Sequence, residues 1–128
     1  MAVVEVGAGV ILRNEQVLVC QRRPDGPHPL KWEFPGGKRQ TDESLPQCVR
    51  RELHEELGID AAVGAEIWRT RHHYRPDRSV DLFFFRITAF TGEISNRVFA
   101  AVRWITRGEL HTVDFLEADR GLVKFLDG

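Results

Sequence analysis

The chain has 128 residues, 42% of them hydrophobic and 9% aromatic, which suits one compact domain with its own core and excludes a disordered segment. Its 18 lysines and arginines stand against 19 acidic residues, so no global field draws it to nucleic acid or to an anionic membrane. The two cysteines, Cys20 and Cys48, lie in apolar-patterned segments and make no disulfide framework or thiolate metal site, which reads as a reduced, cytosolic protein.

The start, MAVVEVGAGVIL, has no basic region of the signal-sequence kind and carries Glu5, so it reads as a first strand. No apolar stretch nears the roughly 20 residues of a membrane-spanning helix. Val3 to Arg13 and Gln16 to Arg22 are predicted as strands joined at Asn14-Glu15. The segment RRPDGPHP, with three prolines and a glycine in eight positions, is expected to be a loop. Trp32 to Phe34 reads as a short strand ended by Pro35-Gly36-Gly37, a glycine loop. Ser44 and Gln47 have the S-x-x-Q spacing of a capping box, Pro46 falls in the first turn, and Gly58 suits a C-terminal cap. A helix is therefore expected from about Leu45 to Leu57. Ala65 to His73 and Val80 to Phe90 follow as strands around the turn Arg75-Pro76-Asp77-Arg78, then Ala100 to Ile105. Thr106 to Leu110 offers a capping-box-like T-x-x-E, and Asp119 suits the cap of a last helix through Leu126. Strands, helix, strands, helix predict a mixed α/β or α+β sandwich, one domain over residues 1–128.

Within the long helix, Leu45, Val49, Leu53 and Leu57 make an apolar stripe that must bury against a sheet. Counted from Leu45 at about 100° per residue, Glu56 points at about 20°, Glu52 at about 340° and Glu55 near 280°. Neighbouring carboxylates at the edge of a core repel and lose hydration unless something offsets them. Pairing with Arg50 or Arg51 is one remedy and would leave an ordinary charged helix face. A hard divalent cation is the other, since Mg²⁺ prefers oxygen ligands and bridges to substrate phosphates. Gly36 and Gly37 lie just upstream, let a backbone approach without a Cβ in the way, and supply a carbonyl that can ligate.

Gly37, Glu43 and the run Arg51-Glu52-Leu53-His54-Glu55-Glu56-Leu57-Gly58-Ile59 fill every fixed position of G-x5-E-x7-R-E-U-x-E-E-x-G-U, where U is aliphatic. The sequence thus resembles the Nudix family, and WEFPGGK resembles the corresponding stretch of its MutT-type subgroup. The resemblance implies a Nudix-type α/β/α sandwich with a mixed β-sheet. It implies hydrolysis of a nucleoside triphosphate to the monophosphate and pyrophosphate, with Mg²⁺ or, in its place, Mn²⁺. By position, Gly36 through its carbonyl, Glu52, Glu55 and Glu56 would hold metal, and Glu52 would also meet the attacking water as base. Glu43 and Arg51 would form a structural pair, with Gly37 and Gly58 structural in the motif.

For substrate, the resemblance points to Arg23, His28, Glu33, Phe34, Lys38 and Asp119, the last where the subgroup has a residue that reads the base edge. Each of three has a plainer reading: Arg23 as a solvated strand end, His28 as a loop residue, Asp119 as a helix N-cap. Phe83-Phe84-Phe85 reads as core with one ring free to stack on a base, and His72, His73 and Tyr74 as surface strand residues. Cleansing of 8-oxo-dGTP is one expected role, and hydrolysis of CTP, dCTP or a modified pyrimidine triphosphate is its alternative. A third reading, a nucleotide-binding module with little catalysis, comes from Val98, which stands where the subgroup carries a further glutamate before the late-strand tryptophan, here Trp104. The expected partner is a small nucleotide, with no nucleic acid polymer and no membrane, in a cytoplasmic monomer or homodimer.

Overall fold

The computed structural model describes residues 2–128. Strand β1 (Ala2–Arg13) returns as β2 (Gln16–Gln21) through Asn14 and Glu15, whose φ angles of 52° and 66° fit a two-residue hairpin turn. Leu12 faces Val17 across it. β3 (Trp32–Glu33) pairs with β2, and β4 (Gly36–Lys38) pairs antiparallel with β1, Gly37 opposite Gly7. The glycine loop expected after Phe34 is therefore a strand. Its lack of side chains lets it lie close on β1, for a Cβ on Gly36 would strike the Gly7 carbonyl.

Helix α1 (Leu45–Leu57) starts as its sequence requires. Ser44 Oγ accepts from Gln47 N–H at 3.2 Å, and Gln47 Oε1 accepts from Ser44 N–H at 2.8 Å. Gly58 ends the helix at φ 73°, a conformation that costs a residue without Cβ least. β5 (Asp60–Arg75) and β6 (Arg78–Thr91) form a long antiparallel hairpin. β5 begins at Asp60 rather than Ala65, because register shifts after Ala62, Val63 and Glu66 break the alternation on which a strand prediction depends. β7 (Ala101–Thr106) joins β2 on its free side. Thr106 caps nothing with its side chain: it still pairs with Gln16 in the sheet, and a 3-10 turn (Arg107–Thr112) follows. A second 3-10 turn (Glu117–Asp119) leads into helix α2 (Arg120–Asp127).

β1 organises the molecule. It runs parallel to β6 from Ala2↔Arg78 to Ile11↔Ile87, while β2 and β4 pair with it antiparallel. Alternate side chains leave opposite faces. Val10, Val17, Val19, Leu82 and Phe84 pack with Phe115 and with Leu122 and Leu126 of α2, whereas Ile11, Leu18, Phe83, Phe85 and Ile87 pack with Val49, Leu53 and Leu57 of α1. A mixed sheet thus lies between two helices, the expected α/β/α sandwich. All three rings of the Phe83-Phe84-Phe85 run are buried, since the strand sends them into the two cores in turn.

Candidate active site

Strand β4 and helix α1 bring the glycines and the glutamates together. Glu52 and Glu56 lie at the edge of the apolar stripe, and Glu52 is only 15% exposed. Glu55 is 56% exposed on the outer side. A Cβ on Gly37 would stand 2.5 Å from Glu52 Oε2, so the bare Cα of Gly37 makes the space that the carboxylate occupies. Glu56 Oε1 accepts the Gly36 N–H at 3.1 Å.

Arg51 ties the cluster down. Its Nε and Nη2 donate to the two oxygens of Glu43 at 2.9 and 2.7 Å, and its Nη1 donates to Glu52 Oε1 at 2.8 Å and to Glu55 Oε2 at 3.1 Å. The Arg51 hydrogen bonds hold the Glu43 carboxyl down at about 2. Glu56 goes the other way. Burial, then the charges of Glu52 and Glu33, push it far above the usual carboxylate range against the pull of the Gly36 N–H.

A cleft of about 650 Å³ opens beside this cluster. Its apolar walls include Val6 and Ala8 of β1, Val80, Leu82 and Phe84 of β6, and Phe34. Phe34 is fixed edge-on to Phe84 and stacked on Phe115, with centroids 5.9 and 5.3 Å away. Gly36, Gly37, Lys38 and Glu56 line the cleft, and so does Asp119, which is 3% exposed. Asp119 stands where an N-cap would, yet its side chain makes no cap bond and turns to the cleft instead. Burial first, then the Glu33 charge, push its carboxyl up to about 8, so at neutral pH it carries a proton and offers one donor and one acceptor. Glu33 acts on both Glu56 and Asp119 and so links the two groups. Its own carboxyl is raised by burial, opposed by Arg22, whose Nη1 lies 3.1 Å from Oε1.

Of the residues expected to meet substrate, His28, Glu33, Phe34, Lys38 and Asp119 line this cleft. Arg23 does not: it is exposed, with Nε 3.2 Å from Asp25, and Arg22 takes the cleft side. The sequence reading also passed over Tyr74, Arg75 and Arg78, which come to the cleft from the tip of the β5–β6 hairpin. The arginines of the RPDR turn were the available signal. Lys38, Arg75 and Arg78 have no carboxylate partner among the described residues. The thiol of Cys20 is driven up chiefly by burial, and that of Cys48 likewise to about 11, so both stay protonated and inert.

Among the described residues no three carboxylate, imidazole or thiol groups converge at ligating distance, Arg51 holding Glu52 and Glu55 while Glu56 turns to Gly36. The donor set nonetheless fits a hard cation. Two half-buried carboxylates repel one another beside a glycine backbone, which a cation between them would relieve, and one oxygen of Glu52, Oε2, faces the space at Gly37 without an Arg51 bond.

The NUDIX domain model matches residues 4–126. A CTP pyrophosphohydrolase of Escherichia coli is 33% identical over 124 residues, covering 97% of this chain and 91% of its own. An 8-oxo-dGTP diphosphatase of Haemophilus influenzae is 32% identical, covering 94% of this chain and 89% of its own. A solved MutT structure, described for Aliivibrio salmonicida and Vibrio cholerae, superposes with a TM-score of 0.83 at 28% identity and covers 98% of each chain.

Proposed function

Since the chain belongs to the Nudix family, we propose that its cleft hydrolyses a nucleoside triphosphate, as a MutT-like enzyme, to the monophosphate and pyrophosphate. One observation carries the reading. A single cleft combines an apolar slot by the buried Asp119, three cations without a carboxylate partner among the described residues, and Glu56, with Glu52 beside it, and so matches a planar base, a polyanion and a hard cation together.

Nudix hydrolases need a divalent metal, here taken to be Mg²⁺, with Mn²⁺ able to replace it. The Gly36 carbonyl, Glu52 and Glu56 would hold it, with Glu55 joining once Arg51 releases it. Bound there, the cation neutralises the polyphosphate and acidifies water. Arg51 binds Glu52 Oε1 and leaves Oε2 to take the proton of the attacking water, so that Glu52 serves as base. Water oxygen bonds to phosphorus, the bond to the leaving pyrophosphate breaks, and Lys38, Arg75 and Arg78 meet the charge on the phosphates. Phe34, Phe84 and the aliphatic wall exclude water from the base.

Asp119 supports a narrower reading. A neutral carboxyl satisfies an edge with one donor beside one acceptor, which cytosine and 8-oxoguanine both present. On the edge that carries N7, ordinary guanine offers two acceptors, N7 and O6, where 8-oxoguanine offers the N7–H donor beside O6, so a neutral Asp119 facing that edge pairs only one of its two groups with ordinary guanine. The test is product analysis with Mg²⁺ and a panel of 8-oxo-dGTP, dGTP, CTP, dCTP and 5-methyl-dCTP. Monophosphate and pyrophosphate are expected from the oxidised purine or from the cytosine nucleotides, with dGTP slower by about 10²-fold. Glu56→Gln, in parallel, should lower kcat by about 10²–10³-fold. Binding of a nucleotide with no product from any member would instead support a nucleotide-binding module, the role suggested by Val98.

A further inference from the structure

Glu55 and Glu56 occupy the last turn of α1, the unfavourable end of a helix for an acid. The terminal carbonyls there carry roughly half a negative charge, which adds to the repulsion between the carboxylates. α1 itself has only His54 as a basic residue in that turn. The compensating cation comes from the segment between β6 and β7, which lies across the helix end. Ser95 N–H donates to the Leu57 carbonyl at 2.8 Å, Arg97 N–H to the Glu56 carbonyl at 3.1 Å, and Arg97 Nη1 to the His54 carbonyl at 3.3 Å. The guanidinium also covers Gly58, where a Cβ would stand 2.8 Å from Nη2.

The segment is rigid enough to hold that position. Asn96 and Phe99 exchange hydrogen bonds of 2.9 and 2.8 Å, and Ile94 and Phe99 pack against the α1-side core. Glu56 is consequently held at both ends, its carboxylate by the Gly36 N–H and its carbonyl by the Arg97 N–H.

We propose that Arg97 is a positioning residue for the carboxylate cluster: its guanidinium closes the C-terminus of α1, offsets the terminal charge of the helix, and so fixes Glu55 and Glu56 for the cation. The inference rests on the proposed function of the same site. With Val98 45% exposed, this segment serves the site through a cation behind the helix and not through a carboxylate.

The test compares wild type with Arg97→Ala, Arg97→Gln and Arg97→Lys, and uses Arg86→Ala as a control that removes an exposed charge away from α1. Mn²⁺ affinity of the substrate-free protein is read by electron paramagnetic resonance, alongside kcat, KM and amide exchange. Loss of the Arg97 charge would by itself favour Mn²⁺, so a positioning role predicts the opposite outcome: Arg97→Ala should weaken Mn²⁺ binding about two- to tenfold, the net worth of one hydrogen bond that orders the last turn. It should lower kcat with KM nearly unchanged and speed exchange at residues 54–58. Arg97→Lys should recover most of the affinity; Arg97→Gln and Arg86→Ala separate the hydrogen bond and the overall charge from the local charge. Unchanged Mn²⁺ affinity and kcat in Arg97→Ala, with faster exchange alone, would overturn the proposal and leave Arg97 a plain cap. Wild-type protein that neither binds Mn²⁺ nor cleaves a triphosphate would overturn the proposed function, and this inference with it.

Discussion

Asp119 shows how burial changes what a residue can do. On the surface it would be an anion and a helix cap; at 3% exposure, with the Glu33 charge acting on it, its carboxyl is pushed up to about 8 and holds its proton at neutral pH. A carboxyl whose folded pKa is raised binds its proton more tightly folded than unfolded. Its contribution to stability is thus full below its ordinary value of 3.8 and is lost as pH rises through about 8. Urea denaturation across that window should show wild type losing stability relative to Asp119→Asn, since the amide has no proton to lose. Parallel curves for the two proteins would mean that Asp119 is ionised throughout. Glu33 and Glu56 are raised in the same direction, so the comparison between the two proteins, rather than either curve alone, isolates Asp119.

At the level of the element, β4 holds two glycines that are adjacent yet needed for different reasons. Gly36 lies against the β1 backbone, so a Cβ there meets main chain that cannot move without breaking the sheet. Gly37 faces Glu52, so a Cβ there meets only the end of a side chain, with Oε1 at 2.7 Å. Gly36→Ala should therefore destabilise the fold by about 1–3 kcal/mol, the cost of overpacking. Gly37→Ala should keep the fold, because Glu52 can swing aside, but lose most of kcat. Thermal melts and steady-state kinetics on the two variants test this. Equal loss of stability in both would show that the Glu52 contact is not the cause. α1 was the most legible element because both its ends carry local chemistry: the Ser44–Gln47 box and Gly58 act within a few residues of themselves. β5 was the least legible, since its bulges answer to pairing with β6 and not to its own alternation.

For the molecule as a whole, the proposed function assigns the cleft and the carboxylate edge to one ligand, so cation and nucleotide should stabilise the fold together. Mg²⁺ with a non-hydrolysable triphosphate at about 100-fold over its Kd should add about 2.7 kcal/mol, seen as a rise in Tm. Glu56→Gln should retain less of the increment that depends on Mg²⁺. An equal rise with chelator present would remove the cation from nucleotide binding. The sequence by itself determined the acidic helix, its caps, its apolar stripe and the spacing from Gly37 to Gly58, because helical geometry and capping are short-range and repeat every few residues. It also carried the order of strands and helices, and with that the sandwich. Tertiary structure alone decided that Gly36-Gly37 pairs as a strand, that Arg22 and not Arg23 faces the cleft, that Tyr74, Arg75 and Arg78 reach it from a distant hairpin, and that Arg97 closes α1. Those outcomes depend on which strands pair and in what register, and a shift of one residue exchanges the two faces of a strand; local sequence does not contain the partner.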